Sequence, residues 1–161
     1  MLTGSIIRLA GYGGAGLFLR TVVIPAEAGS TGAEPLTIAF DITLHSPQVE
    51  STYYARTVEP GFLKSLADFC LAAAADDAPE ASSAQFYDGR CGLELSIVSS
   101  TPSRIGLLVR AVRDLEELPI DWDAMDFETS RAALAQLSID TRMLLGEDAW
   151  NVSTEPPQEW N

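Results

Sequence analysis

The chain has 161 residues, 47% of them hydrophobic, and a net charge of −13 at pH 7. The length suits a single domain and the apolar content suffices for a core, so a globally disordered chain is excluded. A membrane-spanning helix is excluded as well, because no apolar run approaches the required length. The N-terminus lacks the features of a secretory signal, so we expect a cytoplasmic protein.

The first elements form a hairpin. A short apolar run over residues 5–10 is followed by the glycine-rich segment 11–16 and by a run rich in branched side chains over residues 17–24. A phosphate-binding loop needs a helix after its glycines, because the N-terminus of that helix supplies the amides and the dipole. Here a strand follows, so we interpret the glycines as a hairpin loop.

Two further strands and a helix come next. Residues 25–35 indicate an exposed loop. Residues 36–44 alternate between apolar and other side chains, which is the period of a strand with one buried face. Another strand is expected over residues 52–58, and Pro60 suits the first position of a helix. The apolar stripe of that helix consists of Phe62, Leu63, Leu66, Phe69, Cys70 and Ala73.

A second group of strands follows a polar connection. Residues 85–87 and 90–99 flank Asp88-Gly89, and this dipeptide between strands predicts a two-residue hairpin turn with positive φ at both positions. Residues 105–112 form the next strand. Its alternating face consists of Ile105, Leu107, Val109 and Ala111.

The chain changes character after Arg113. Residues 115–119 form a connector, and the acidic residues 121–128 are expected to hold the start of a final helix. Gly146 is a plausible end for that helix. Its apolar side is assigned to Ala132, Leu134, Leu137, Thr141, Leu144 and Leu145.

These elements predict an α+β fold. Short connections favour antiparallel neighbours, so we expect one antiparallel β-sheet of about six to seven strands with two helices packed on one face. The chain is interpreted as a single domain over residues 1–161, with a core over about 5–146 and a mobile acidic tail over 147–161. The sequence shows neither an internal repeat nor a linker between domains.

No residue is assigned to catalysis, to a cofactor or to a metal. His45, the only histidine, is followed by Ser46, and neighbours on a strand point to opposite faces. Asp121-Trp122-Asp123 is too short a motif to define a site, and the neighbouring carboxylates lack the glycine and the distal glutamate of a calcium loop. The two cysteines, Cys70 and Cys91, lack metal-ligand spacing, and a cytosolic setting disfavours a bridge between them; Cys91 follows a turn and is expected to be partly exposed.

The distribution of charge is the main functional clue. Residues 1–113 contain 11 acidic and 8 basic residues, whereas residues 114–161 contain 12 acidic and 2 basic ones. The excess of acidic residues after residue 113 creates a negative electrostatic field, which repels nucleic acid and attracts basic surfaces. Aromatic residues within this segment can act as contact anchors. We therefore predict a surface that binds a basic protein, but neither nucleic acid nor a membrane. Its residues are Asp114, Glu116, Glu117, Asp121, Trp122, Asp123, Asp126 and Glu128.

Residues 6–10, 62–67 and 92–95, together with the closing helix, resemble small bacterial domains of unknown function, and the size and charge are similar to those of acidic immunity proteins of toxin systems. The resemblance implies a non-enzymatic protein that inhibits a basic partner. One alternative is a small-molecule-binding or enzymatic domain with a site in the concavity of the sheet, based on carboxylates such as Asp41 or Glu94. Another is a structural subunit of an oligomer.

Overall fold

The structure, a computed structural model, describes residues 4–24, 37–59, 61–75 and 85–154, with the side chains of 23, 24, 37 and 145–154 left aside. The expected loop at 25–35, the role of Pro60 and residues 155–161 of the tail lie outside this part. The first half of the chain contains β1 (Ile6–Ala10), β2 (Gly16–Ile24), β3 (Thr37–His45), β4 (Glu50–Thr57) and α1 (Phe62–Ala74). The second half contains β5 (Gln85–Asp88), β6 (Leu93–Ser100), β7 (Ile105–Val112), β8 (Trp122–Thr129) and α2 (Arg131–Thr154).

The strands form two sheets, so the prediction of one sheet with six to seven strands is wrong. Each sheet has four antiparallel strands in chain order, β1-β2-β3-β4 in the first and β5-β6-β7-β8 in the second. A helix follows each sheet, and the same order of elements therefore occurs twice. The sequence pattern does not show this repeat, because strand pairing depends on contacts between distant segments. The prediction of an α+β fold with antiparallel strands and two helices is confirmed.

Both sheets and both helices share one hydrophobic core. Its side chains include Leu9, Leu19, Phe40, Leu66, Leu95, Leu107 and Leu134, all fully buried. The helices pack against each other and on the sheets, and the Ser138 hydroxyl donates to the Ala67 carbonyl at 2.9 Å between them. The core thus holds the two halves together, and it leaves one face of each sheet turned outward.

The sequence predicts the first sheet and α1 well. In β3 the side chains of Phe40, Ile42 and Leu44 are buried, as predicted, but Ala39 and Asp41 on the other face are buried as well. The apolar stripe of α1 is buried except for the partly covered Phe69. The glycine-rich segment is confirmed as a hairpin loop, a short 3-10 turn over Tyr12–Gly14 between β1 and β2.

The turn between β5 and β6 differs from the prediction. Asp88 ends β5, and Gly92, four residues later, is the position with a positive φ of 72°. The Asp88 carboxylate accepts the backbone N–H groups of Arg90 and Cys91, each at 3.0 Å. An aspartate that binds backbone groups ahead of it stabilises a longer turn than the two-residue type. Cys91 is consequently buried within the turn rather than partly exposed.

The prediction of a helix start at residues 121–128 is also wrong, because all of them except Asp121 belong to β8, the edge strand of the second sheet. The last helix begins at Arg131 and continues through Gly146 to Thr154, so Gly146 does not end it. Its buried side includes Leu134, Leu137 and Thr141, whereas Ala132 is exposed. Carboxylates that suit a helix N-terminus also suit the solvent side of an edge strand, which explains the error.

A β-bulge in β4 fixes the shape of the first sheet. The pairing between β3 and β4 shifts by one residue next to Asp41, and Ala55 has a positive φ of 51° there. The Asp41 carboxylate accepts the Ala55 N–H at 2.7 Å and pairs with Arg20 at 2.6 Å. A buried carboxylate with two donors therefore holds the bulge.

Arg131 joins the two helices to a turn of the second sheet. Its guanidinium donates to the carbonyls of Ala73 and Ala75 at the end of α1, at 3.3 and 2.5 Å. It also donates to the Ser100 hydroxyl at the end of β6 and to the Thr101 carbonyl in the β6–β7 connection, both at 2.9 Å. A cation at this position satisfies carbonyls that a helix terminus leaves without partners.

Candidate functional site

The residues predicted to bind a partner lie on one continuous stretch of the second sheet. Asp114, Glu116 and Glu117 lie in the connection between β7 and β8, which we call the acidic loop (residues 114–121). The remaining members come from the end of this loop and from β8. On β8, Trp122, Asp126 and Glu128 lie on the outward face, and Asp123 lies on the inward face.

Backbone hydrogen bonds close the acidic loop at its base. The Arg113 N–H donates to the Asp121 carbonyl at 2.8 Å. Inside the loop, Asp114 accepts the Glu116 N–H on its side chain at 3.0 Å and the Glu117 N–H on its carbonyl at 3.2 Å. Such an aspartate turn limits the conformations of the loop, so its side chains are presented in a defined arrangement.

Asp123 anchors the base of the loop to the first sheet. Its carboxylate accepts the Tyr53 hydroxyl at 2.5 Å and the Arg113 guanidinium at 3.0 and 2.8 Å. The Tyr53 hydrogen bond, followed by the one from Arg113, holds the pKa of Asp123 below its ordinary value. Burial, and then the bond to Asp123, raises the pKa of Tyr53 to about 12. Asp123 is therefore a structural residue and is poorly available to a partner.

A buried arginine supports the same junction from β4. The Arg56 guanidinium donates to the carbonyls of Cys91 at 2.9 Å, Val112 at 2.8 Å and Arg113 at 3.3 Å. Burial lowers the pKa of Arg56, and none of these partners is a carboxylate. The residue thus links the first sheet to the β5–β6 turn and to the start of the acidic loop.

Neighbouring arginines neutralise part of the acidic stretch. Asp121 lies 3.8 Å from Arg113, and Glu128 lies 2.7 Å from Arg104. In the sequence these arginines fall before residue 114, but in the fold they stand beside the acids that follow. Within the described part of the chain, four predicted carboxylates have no cation in ion-pair contact: Asp114, Glu116, Glu117 and Asp126.

The acidic loop also carries exposed apolar side chains, which the sequence reasoning missed. Leu118 is 83% exposed, Ile120 is 49% exposed and Leu115 is 42% exposed. The sequence places them between acids without the periodicity of a helix or a strand, and this alone gave no reason to single them out. Together with Glu116 and Glu117 they form a mixed acidic and aliphatic surface.

Trp122 lies at the border of this surface and is half-buried. The Arg110 guanidinium covers its ring at 4.4 Å from the ring centre, and the Tyr87 ring lies 6.5 Å away. A cation over an indole face stabilises the ring in place. Only part of Trp122 is therefore available as an anchor for a partner.

Three observations concern a metal site, His45 and the helices in the described ranges. No group of three His, Cys, Asp or Glu side chains there could hold a metal ion. His45 approaches Glu50 at 3.4 Å, while the Ser46 hydroxyl donates to the Val49 carbonyl at 3.3 Å in the adjacent turn. Neither α1 nor the described length of α2 is long and apolar enough to cross a bilayer.

Comparisons of the chain with protein families, with curated proteins and with solved structures found no match. They therefore do not bear on the resemblance to immunity proteins, and any functional conclusion depends on the surface described above.

Proposed function

We propose that this chain is a non-enzymatic binding protein that docks a basic protein surface on its acidic loop. The observation that carries the proposal is the combination of unpaired carboxylates and exposed aliphatic side chains on a loop whose base is fixed. When the partner is a basic enzyme, a protein of this kind acts as an immunity-type inhibitor.

The two kinds of side chain have separate tasks in such a complex. Burial of a leucine side chain contributes about 1.5–3 kcal/mol, so Leu118 is the main source of affinity. The carboxylates of Glu116 and Glu117 accelerate association and select for Lys and Arg around the apolar contact. The closed base of the loop reduces the conformational entropy lost on binding.

Asp41 and Glu94, the carboxylates on which an enzymatic site could be based, both bind other side chains or backbone groups of the fold. Asp41 is occupied by Arg20 and by the bulge in β4. Glu94 accepts hydrogen bonds from the side chains of Gln85 and Arg110 on the neighbouring strands. Both carboxylates therefore stabilise the fold through these contacts, and this favours a binding function over a catalytic one.

The test is a selection of binders from a random-peptide library displayed on phage, with the full chain as the immobilised target. We expect the enriched peptides to be positively charged and to contain an aliphatic or aromatic residue. Glu117→Lys and Leu118→Asp should each weaken the binding of these peptides at least ten-fold, since they change the charge and the apolar anchor of the loop separately.

The matched control is Glu59→Lys, which makes the same change of charge on an exposed residue between β4 and α1. It should leave the binding of the selected peptides unchanged. Enriched peptides that are neutral or acidic, or that bind all three variants as well as the parent chain, would contradict the proposal.

A further inference from the structure

The outward face of the first sheet carries an open groove of about 380 Å³. This volume lies within the range of sites that bind small ligands. The groove is formed by all four strands of the sheet and lies on the face opposite the core. Its lining includes Arg8, Phe18, Thr43, Glu50, Thr52 and Tyr54.

Opposite charges stand on the two edge strands of this groove. Arg8 belongs to β1, and its side chain has no hydrogen bond, ion pair or ring contact with any residue in the described ranges. Glu50 belongs to β4, its side chain is 59% exposed, and the Nδ1 atom of His45 lies 3.4 Å from its carboxylate. In the strand register Arg8 is in line with Thr52, two residues from Glu50. Three strand spacings and this offset separate the two backbones by about 16 Å, and both long side chains can reach inward.

The floor between these charges is neutral and fixed. Arg20 and Asp41 neutralise each other at 2.6 Å, and the second oxygen of Asp41 is bound to the β4 bulge. The pair therefore carries no net charge, whereas Arg8 and Glu50 each carry one. A charged ligand would interact with Arg8 and Glu50 instead.

The middle of the groove offers apolar and hydroxyl contacts. The Phe18 ring lies beside Arg8 in the strand register, and Tyr54 is 71% exposed. Across the sheet, the hydroxyls of Thr43 and Thr52 are hydrogen-bonded to each other at 3.0 Å. An apolar side chain can rest on the rings while backbone amides meet the hydroxyls.

We propose that this groove binds a zwitterionic ligand of the size of a tripeptide, extended across the strands. Its terminal carboxylate pairs with Arg8, its terminal ammonium pairs with Glu50, and a central apolar side chain packs on Phe18. An extended peptide spans about 3.3–3.6 Å per residue, so three residues bridge the gap once the two side chains reach inward. The site does not depend on the acidic loop.

The probe is the tripeptide Ala-Phe-Ala, titrated into the full ¹⁵N-labelled chain and followed by NMR. We expect shifts confined to β1–β4, and at least a ten-fold weaker affinity when the N-terminus is acetylated or the C-terminus is amidated. Equal affinities for the free and blocked peptides, shifts outside the first sheet, or the absence of binding would each overturn the proposal.

Two variants assign the ends of the peptide. Arg8→Ala should weaken the free peptide at least ten-fold but leave the C-amidated peptide unchanged, and Glu50→Gln should do the same for the N-acetylated peptide. Arg90→Ala, which removes an exposed arginine from the β5–β6 turn of the other sheet, is the control and should bind like the parent chain. Variants that weaken all peptides equally would contradict the assigned orientation and the proposal with it.

Discussion

The hydrogen bond between Tyr53 and Asp123 joins the two sheets, and its removal gives a pH-dependent result that can be calculated. In Tyr53→Phe the ring is kept and one donor to a carboxylate is lost. Hydrogen bonds to charged groups contribute about 1.5–3 kcal/mol. Because Asp123 keeps its bonds to Arg113, we expect the lower end, a loss of about 1.5 kcal/mol at pH 7.

The difference between the parent chain and Tyr53→Phe should shrink in alkali. The pKa of Tyr53 is raised from 10.0 to about 12 in the fold, so its contribution is fully present below pH 10 and is lost as the pH rises through 12. This rise in the pKa of Tyr53 corresponds to about 2.7 kcal/mol of folding free energy when it is fully expressed. Between pH 9 and pH 11 the parent chain should therefore lose about 1.3 kcal/mol that the variant keeps.

Urea unfolding followed by tryptophan fluorescence at pH 7, 9 and 11 measures both effects. The other titrating groups are common to the two proteins and cancel in the difference. Tyr54→Phe is the control, because the neighbouring phenol is exposed and its removal should change stability by less than about 0.5 kcal/mol. A stability difference for Tyr53→Phe that stays constant from pH 7 to pH 11 would refute the reasoning.

Three further substitutions test other contacts. Asp41→Asn keeps the shape of the side chain but removes its charge and one of the two acceptors that hold the β4 bulge. The free energy of unfolding, measured in urea, should fall by about 1.5–3 kcal/mol. An unchanged midpoint of urea unfolding would exclude this role. Arg56→Met keeps an apolar stem but leaves three carbonyls without their donor, and we expect a loss of about 3 kcal/mol, with Arg56→Lys intermediate. Equal stability of the two Arg56 variants would argue against the multiple bonds. Arg131→Ala should cost about 1–2 kcal/mol and speed amide exchange at the end of α1 and in the β6–β7 connection first; uniform acceleration would contradict the local link.

The elements that the sequence predicts best are those whose pattern is set by one buried face. The alternation in β3 and the stripe of α1 each reflect contact with the core, and their apolar sides are buried as predicted, although Ala39 and Asp41 on the other face of β3 are buried as well. β8 has only Phe127 and Thr129 buried, both near its end. An edge strand with so little burial has a weak alternation, and its carboxylates then favour the prediction of a helix start.

The organisation into two sheets could not be obtained from local patterns. Each strand pairs with its chain neighbour, and the boundary between the sheets falls where α1 separates β4 from β5. The contacts that join the halves, such as Arg56 to the Val112 carbonyl, connect residues 56 positions apart. A single sequence gives no periodicity for contacts of this range.

The sequence analysis named the acidic residues of the candidate surface, but not their arginine partners or the exposed aliphatic side chains among them. The division of charge at residue 113 placed Arg104 and Arg113 outside the acidic segment, whereas they pair with Glu128 and Asp123 in the fold. Leu118 is exposed because it lies in the loop closed by the hydrogen bond between Arg113 and Asp121, and the neighbouring residues in the sequence do not indicate this. The surface is therefore less charged and more apolar than the sequence alone indicates.

Mapping the binding site of an enriched peptide from the phage selection tests the central claim most directly. The measurement is the change in ¹⁵N chemical shift across the full chain as the peptide is added. We predict that the largest changes fall on the acidic loop and the outward face of β8, and that they are lost in Leu118→Asp. Changes centred on the first sheet, or a pattern that Leu118→Asp leaves intact, would contradict the assignment of the acidic loop as the docking surface.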